Sequence, residues 1–256
     1  LQLAGIKTGL VLSTAGLMLS FTSEVNATSK KLNPSSYEYH IESGLEKSKK
    51  NDYEGAIEDF TKAIELNPDK DDAYIERGIA KYELEDYEGA IEDFTKAIEL
   101  YQDNQNAYFW RGFTKYELED YEGAVEDFTQ LIESNPYDGD AYFQRGIAKY
   151  ELEDYEGAVE DFTQVIELNP DDRDAYFERG IAKYQLEDYE GAIKDFTQVI
   201  GTYAEDPELY YLIGASKLNL ENYKGCSDIN KAIELGKADG YDWEWLDSVE
   251  ANFCSN

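Results

Sequence analysis

Basic residues are scarce in this sequence: 23 Lys and Arg stand against 56 Asp and Glu over 256 residues, leaving a formal charge of -33. Such a surface repels phosphate backbones and anionic headgroups, which excludes nucleic acid as a partner and a membrane surface as the seat of the mature repeat region. The chain has one His and two Cys. Cys226 and Cys254 are too far apart in sequence to chelate a metal as a pair, and His40 falls at a repeat position that is otherwise aromatic, so a structural zinc site is not expected. No nucleophile stands in a recognisable catalytic constellation. Paired carboxylates such as Asp71-Asp72 and Asp171-Asp172 fall in turns, where capping and solvation account for them, whereas a catalytic pair needs unequal environments and a pocket. The Asp-rich turns also lack the twelve-residue calcium loop with its central Gly and terminal Glu. Neither an enzyme nor a cofactor is expected.

Long apolar runs are equally scarce. The one that exists, Ile6 to Phe21, carries only Lys7 as a charge and is followed by the small-residue exit Val25-Asn26-Ala27. That order matches a secretory signal cleaved after Ala27, so residues 1–27 are expected to address the chain to a periplasm, a secretory route or an organelle lumen. An uncleaved anchor is the alternative, although the run is shorter than the roughly 20 residues that span a bilayer. Residues 28–36, with Lys30, Lys31 and Pro34, read as a linker.

What the chain has in abundance is repetition. Gly44, Gly78, Gly112, Gly146, Gly180 and Gly214 are spaced by 34 residues, as are Tyr53, Tyr87, Tyr121, Tyr155, Tyr189 and Tyr223, with Pro68, Pro136 and Pro170 between units. Within a unit, Ala73 to Tyr82 and Tyr87 to Leu100 place apolar residues three and four apart, the period of an amphipathic helix. Asp86 is positioned to cap the second of these helices, and Asn67-Pro68 halts the helix before them. Small residues at Gly78 and Ala90 let the paired helices approach, with Phe94 and Ala97 filling the seam.

This pattern of aromatic, Gly, Tyr, Ala, Phe, Ala and Pro at a 34-residue period resembles the tetratricopeptide repeat family. The resemblance covers six units at 37–70, 71–104, 105–138, 139–172, 173–206 and 207–240. It implies an all-α, right-handed superhelical solenoid of antiparallel helix pairs whose first helices line the concave face. The sixth unit is one residue short between Tyr223 and Ala232, which moves Gly225 or Cys226 into the small-residue site. Residues 241–256, with Trp245, Val249 and Phe253 on one helical face, are expected to cap the array. A bond between Cys226 and Cys254 would pin that cap to the sixth unit; two separate buried thiols are the other reading.

The resemblance also nominates a groove. Its expected lining is Ile75, Ile79 and Tyr82, then Phe109, Phe113 and Tyr116, then Phe143, Ile147 and Tyr150, then Phe177, Ile181 and Tyr184. Such a stripe suits a protein or peptide partner of basic or mixed apolar character, steered by the outer carboxylates. The competing expectation is that the stripe closes the inner layer of a structural or self-associating solenoid. Arg77, Arg111, Arg145 and Arg179 each precede a Gly and neighbour an acid such as Glu76 or Glu178. They are expected to bond between adjacent helices, with capture of a ligand carboxylate as the alternative. Some family members clamp a chaperone C-terminus with Lys and Asn; here Asp140 and Asp174 occupy positions where basic residues would serve that purpose, which disfavours it.

Overall fold

The computed structural model describes residues 33–200, 206–238 and Cys254. The expected signal segment 1–27, most of the 28–36 linker and residues 241–253 of the expected cap lie outside the described residues. Twelve α-helices and no strand occur among those that are described. The first helices of successive pairs are α1 (Tyr37–Ser48), α3 (Asp71–Glu83), α5 (Gln105–Glu117), α7 (Gly139–Glu151), α9 (Arg173–Gln185) and α11 (Pro207–Asn219). The second helices are α2 (Tyr53–Leu66), α4 (Tyr87–Leu100), α6 (Tyr121–Ser134), α8 (Tyr155–Leu168), α10 (Tyr189–Val199) and α12 (Gly225–Ala238). Each helix packs on its neighbours in the chain, and the first helices α1, α3, α5, α7 and α9 also touch in succession. This is a solenoid in which contacts run between adjacent repeats.

Local chemistry sets the boundaries. Asp52, Asp86, Asp120, Asp154 and Asp188 each accept a hydrogen bond from the backbone N–H of the Gly three residues on, at 3.0–3.2 Å, which caps the second helices. The turn before each cap holds a residue at positive φ, Asn51 in the first repeat and Glu85, Glu119, Glu153, Glu187 and Glu221 in the others. In that conformation the Glu85 and Asp86 N–H groups, both at 2.9 Å, reach the Tyr82 and Lys81 carbonyls that close the preceding helix.

The seam within each pair is a glycine facing an aromatic ring. A β-carbon on Gly78 would lie 2.6 Å from Phe94 Cε1, and the same clash recurs between Gly44 and Phe60 and between Gly180 and Phe196. Phe60, Phe94, Phe128, Phe162 and Phe196 are at most 1% exposed. The sixth pair is shifted as its missing residue demands: Ile229 replaces the Phe against Gly214, and Gly225 fills the small-residue site opposite the Gly214 carbonyl.

Candidate functional site

Four of the expected arginines form one repeated clamp. Arg77, Arg111, Arg145 and Arg179 lie on first helices, and each binds the Asp sixteen residues on, in the second helix of its own pair. Nε reaches Oδ2 at 2.8–3.0 Å and Nη2 reaches Oδ1 at 2.6–2.8 Å. Nη1 reaches back to a Thr hydroxyl on the preceding second helix, from Thr61 to Thr163, at 3.1–3.2 Å. A Lys four residues after each Arg supplies a second cation: Lys81, Lys115, Lys149 and Lys183 approach the same Asp at 2.7–2.9 Å. The arginines also lie over Tyr74, Tyr108, Tyr142 and Tyr176.

The clamps are thus intramolecular. Their acids are Asp93, Asp127, Asp161 and Asp195, which sequence reading did not single out, rather than neighbours such as Glu76 or Glu178. The signal was present as an Arg-to-Asp interval of sixteen residues repeated four times. In the first pair Ser43 replaces the Arg, and His40, Ser43 and Lys47 surround Asp59 instead. Burial pushes that carboxyl up, but these partners outweigh it and hold it at about 2.

The expected groove stripe divides by depth. Ile75, Tyr82, Ile181 and Tyr184, toward the ends of the array, are buried. Ile79, Phe109, Phe113, Tyr116, Phe143, Ile147, Tyr150 and Phe177 are partly buried. Phe109, Phe143 and Phe177 rest against Phe128, Phe162 and Phe196 of the second helices with ring centroids 5.5–6.1 Å apart, leaving part of each outer ring accessible. The tyrosines link repeats: Tyr150 accepts a hydrogen bond from Gln185 at 2.9 Å and Tyr184 one from Asn219 at 3.0 Å. They also pack on Tyr155 and Tyr189, and Tyr82 and Tyr116 do the same on Tyr87 and Tyr121. The stripe therefore closes the inner layer and retains an accessible aromatic surface along its middle.

Acids follow this stripe. Burial raises Glu83, Glu117 and Glu151 above the usual carboxylate range. Burial and then Asp72 push Glu76 up to about 7. Glu178 is pushed up to about 8 by burial first, then by Asp174, Glu208 and Glu151. An open cavity of about 530 Å³ lies between the fourth and fifth pairs, with Phe143, Val165 and Leu168 as its apolar wall and Asp138, Asp140, Asp172 and Asp174 among its polar residues. Burial, then Asp138 and Asp172, raise Asp140.

Cys226 and Cys254 are joined by a disulfide with Cα atoms 5.5 Å apart. No group of three or more His, Cys, Asp or Glu able to hold a metal occurs among the described residues. No described helix is long and apolar enough to cross a membrane.

Helix pairs stacked in one dimension around an aromatic-lined inner layer define a helical-repeat scaffold. Family models described as tetratricopeptide or TPR repeats match residues 44–84, 78–118, 105–138 and 143–208. The chain belongs to the tetratricopeptide repeat family. No curated protein sequence matches it. Among solved structures it is similar to YrrB, described as a TPR protein with an unusual peptide-binding site, at 24% identity and a TM-score of 0.67, over 75% of this chain and 97% of that one. A tetratricopeptide repeat protein from Parabacteroides merdae gives 20% identity and a TM-score of 0.67 over 83% and 96% of the two chains. MamA from Desulfovibrio magneticus gives 20% identity and a TM-score of 0.63 over 66% and 95%. These likenesses establish the fold.

Proposed function

We propose that this protein holds an extended peptide, or an extended segment of a partner protein, along the inner face of its solenoid. The observation that carries this reading is the run of partly accessible rings at Phe109, Phe113, Phe143 and Phe177 beside an open cavity of about 530 Å³. Rigid aromatic surface gives contact area at low entropic cost, and the apolar wall at Phe143 and Leu168 offers a place for a side chain to anchor. The acidic rim favours a partner of basic or mixed character. YrrB, similar in fold, is described as having an unusual peptide-binding site, which supports a peptide as the kind of ligand.

The inter-repeat bonds of Tyr150 and Tyr184 favour the other reading for these tyrosines, which close a structural layer. The two readings separate by mutation. Affinity capture with the native chain and with a Phe109→Ala, Phe143→Ala double variant should give different partner sets, with both proteins melting cooperatively. An unchanged set sinks the groove, and sedimentation of the native chain reports self-association.

We further propose that the chain works in an oxidising compartment outside the cytosol. The Cys226–Cys254 bond supports this, because disulfides persist where glutathione and thioredoxin do not reduce them. The signal-like residues 1–27 support the same location. Fractionation of cells carrying the full chain tests it: recovery of oxidised protein in the cytosol overturns it.

A further inference from the structure

Eight polar or charged side chains are buried among the described residues, and seven of them are satisfied. Asp59, Asp93, Asp127, Asp161 and Asp195 each bind Lys together with Arg or His. Thr114 and Ser216 donate to backbone carbonyls one turn earlier. Glu178 is the exception. Its residue is 5% exposed, and none of the described residues gives it a hydrogen bond or a cation. An acid in such a place loses most of its hydration, which disfavours its charged form.

The repeat itself does not call for an acid here. The same register holds Glu42 and Glu76 in the first two pairs but Trp110 in the third, Gln144 in the fourth and Leu212 in the sixth, so the solenoid also accepts an aromatic, an amide or an aliphatic group at this point. What surrounds Glu178 is also unlike an internal clamp. Asp174 lies one turn earlier on α9, Glu151 approaches from α7 and Glu208 from α11, all close enough to disfavour its charge. The Tyr116 and Tyr150 hydroxyls lie within the same electrostatic reach. Of the cations on α9, Arg179 and Lys183 are both bound to Asp195 on α10, and Arg173 is exposed at the start of the helix. Asp174 also lines the open cavity at Phe143, which connects this acid-rich point with the accessible part of the groove.

We propose that the inner face at Glu178, within electrostatic reach of Glu151, Asp174 and Glu208 and of the Tyr116 and Tyr150 hydroxyls, receives one Arg or Lys side chain of a bound peptide segment. The inference rests on the groove reading above and adds the chemistry of the occupant. A cationic side chain supplies the hydrogen-bond donors and positive charge that Glu178 lacks. A bare divalent ion fits less well: no three of these carboxylates converge as metal ligands among the described residues. Formation of the pair would ionise Glu178, whose carboxyl stands at about 8 in the free protein, so binding near neutral pH expels a proton.

The test uses the full chain and pools of capped octapeptides in which apolar residues vary around one central Arg, Lys, citrulline or norleucine, read by fluorescence anisotropy at low salt. The Arg and Lys pools should bind the native protein at least about tenfold more tightly than their neutral counterparts. Glu178→Gln should erase that preference while leaving the neutral pools unchanged and the melting temperature unchanged or higher. Calorimetry at pH 7 in two buffers should show proton release on Arg-peptide binding to the native chain and none to the variant. An Arg-to-citrulline ratio that is the same in both proteins overturns the proposal. Neutral pools that still bind, and that lose binding in Phe109→Ala, would then leave the groove reading standing; absence of binding by every pool overturns both.

Discussion

Arg145 grips Asp161 through two parallel hydrogen bonds, at 2.9 and 2.7 Å, while its third nitrogen reaches Thr129 on the preceding pair at 3.1 Å. One side chain thereby fixes three helices, α6, α7 and α8. The Asp161 carboxylate is 3% exposed, so its charge depends on Arg145 and on Lys149 at 2.8 Å. Arg145→Ala should destabilise the chain by about 3 kcal/mol, because it strands a buried charge with one partner. Arg145→Lys should recover only part of this, since an ammonium cannot reproduce the fork. Urea denaturation of the two variants checks the order; equal loss in both shows that fork geometry is unimportant.

The glycines at the helix seams should not be equivalent. A β-carbon would stand 2.4 Å from Phe60 at Gly44 and 2.6 Å from Phe196 at Gly180, but 3.1 Å from the nearest atoms at Gly112. Alanine gains about 1 kcal/mol of helix propensity over glycine at any of these sites. Overpacking costs about 1 to 3 kcal/mol. Gly44→Ala and Gly180→Ala should therefore lower the melting temperature, with Gly112→Ala close to neutral. Thermal melts of the three single variants decide this.

The turn acids are stabilising targets. Glu119 sits at φ 61, a left-handed conformation that crowds a β-carbon. Asn51 occupies the same place in the first pair at φ 60. Glu119→Gly should stabilise by up to about 1 kcal/mol through relief of that crowding, less the entropy glycine adds to the unfolded chain. Glu119→Asn should raise the melting temperature without that entropy loss. A fall in both variants would show that Glu119 makes a contact worth more than the strain.

Stability should have an acidic optimum. Glu178 at about 8 and Glu76 at about 7 lie above the ordinary Glu value of 4.5, so between these limits the native state holds more protons than the unfolded chain. In that window stability falls as pH rises. Asp59, held at about 2, works in the opposite sense, and its contribution is lost as pH falls from its ordinary 3.8. The optimum should lie near about pH 5, and Glu178→Gln should flatten the decline from pH 5 to pH 8 by more than about 1 kcal/mol. Melting temperatures across that range test it; a native profile that rises toward pH 8 contradicts the burial of these acids.

Reduction should loosen the C-terminal end. The Cys226–Cys254 bond closes a loop with a sequence separation of 28 residues, for which chain entropy gives a stabilisation of about 3 kcal/mol. Loss of α12 before the rest of the array, seen by hydrogen exchange in reductant, is the expected outcome. Identical exchange with and without reductant would show that the bond adds nothing.

Much of the fold was legible in the sequence because it is built from local interactions. The 34-residue spacing of Gly78 and Gly112, the cap at Asp86 and the stop at Asn67-Pro68 act within a few residues of themselves, so their meaning does not depend on the rest of the chain. The shift of the sixth pair could be read from its missing residue for the same reason. The groove stripe was legible as a set of positions but not as depths. Phe143 keeps an accessible face and Ile181 is fully buried, although both occupy the same inner layer.

The sequence by itself determined the repeat, its helix pairs and the acidic character of their turns. Tertiary structure decided which charges meet. Arg145 and Asp161 come together only when α7 packs on α8, and Glu178 meets Glu151 and Glu208 only when α7, α9 and α11 stack. Local propensity sets the course of a helix, but a carboxylate's partners and its solvation belong to neighbours that other turns of the chain bring to it. That is why two kinds of buried acid, one clamped by cations and one surrounded by other acids, looked alike in the sequence.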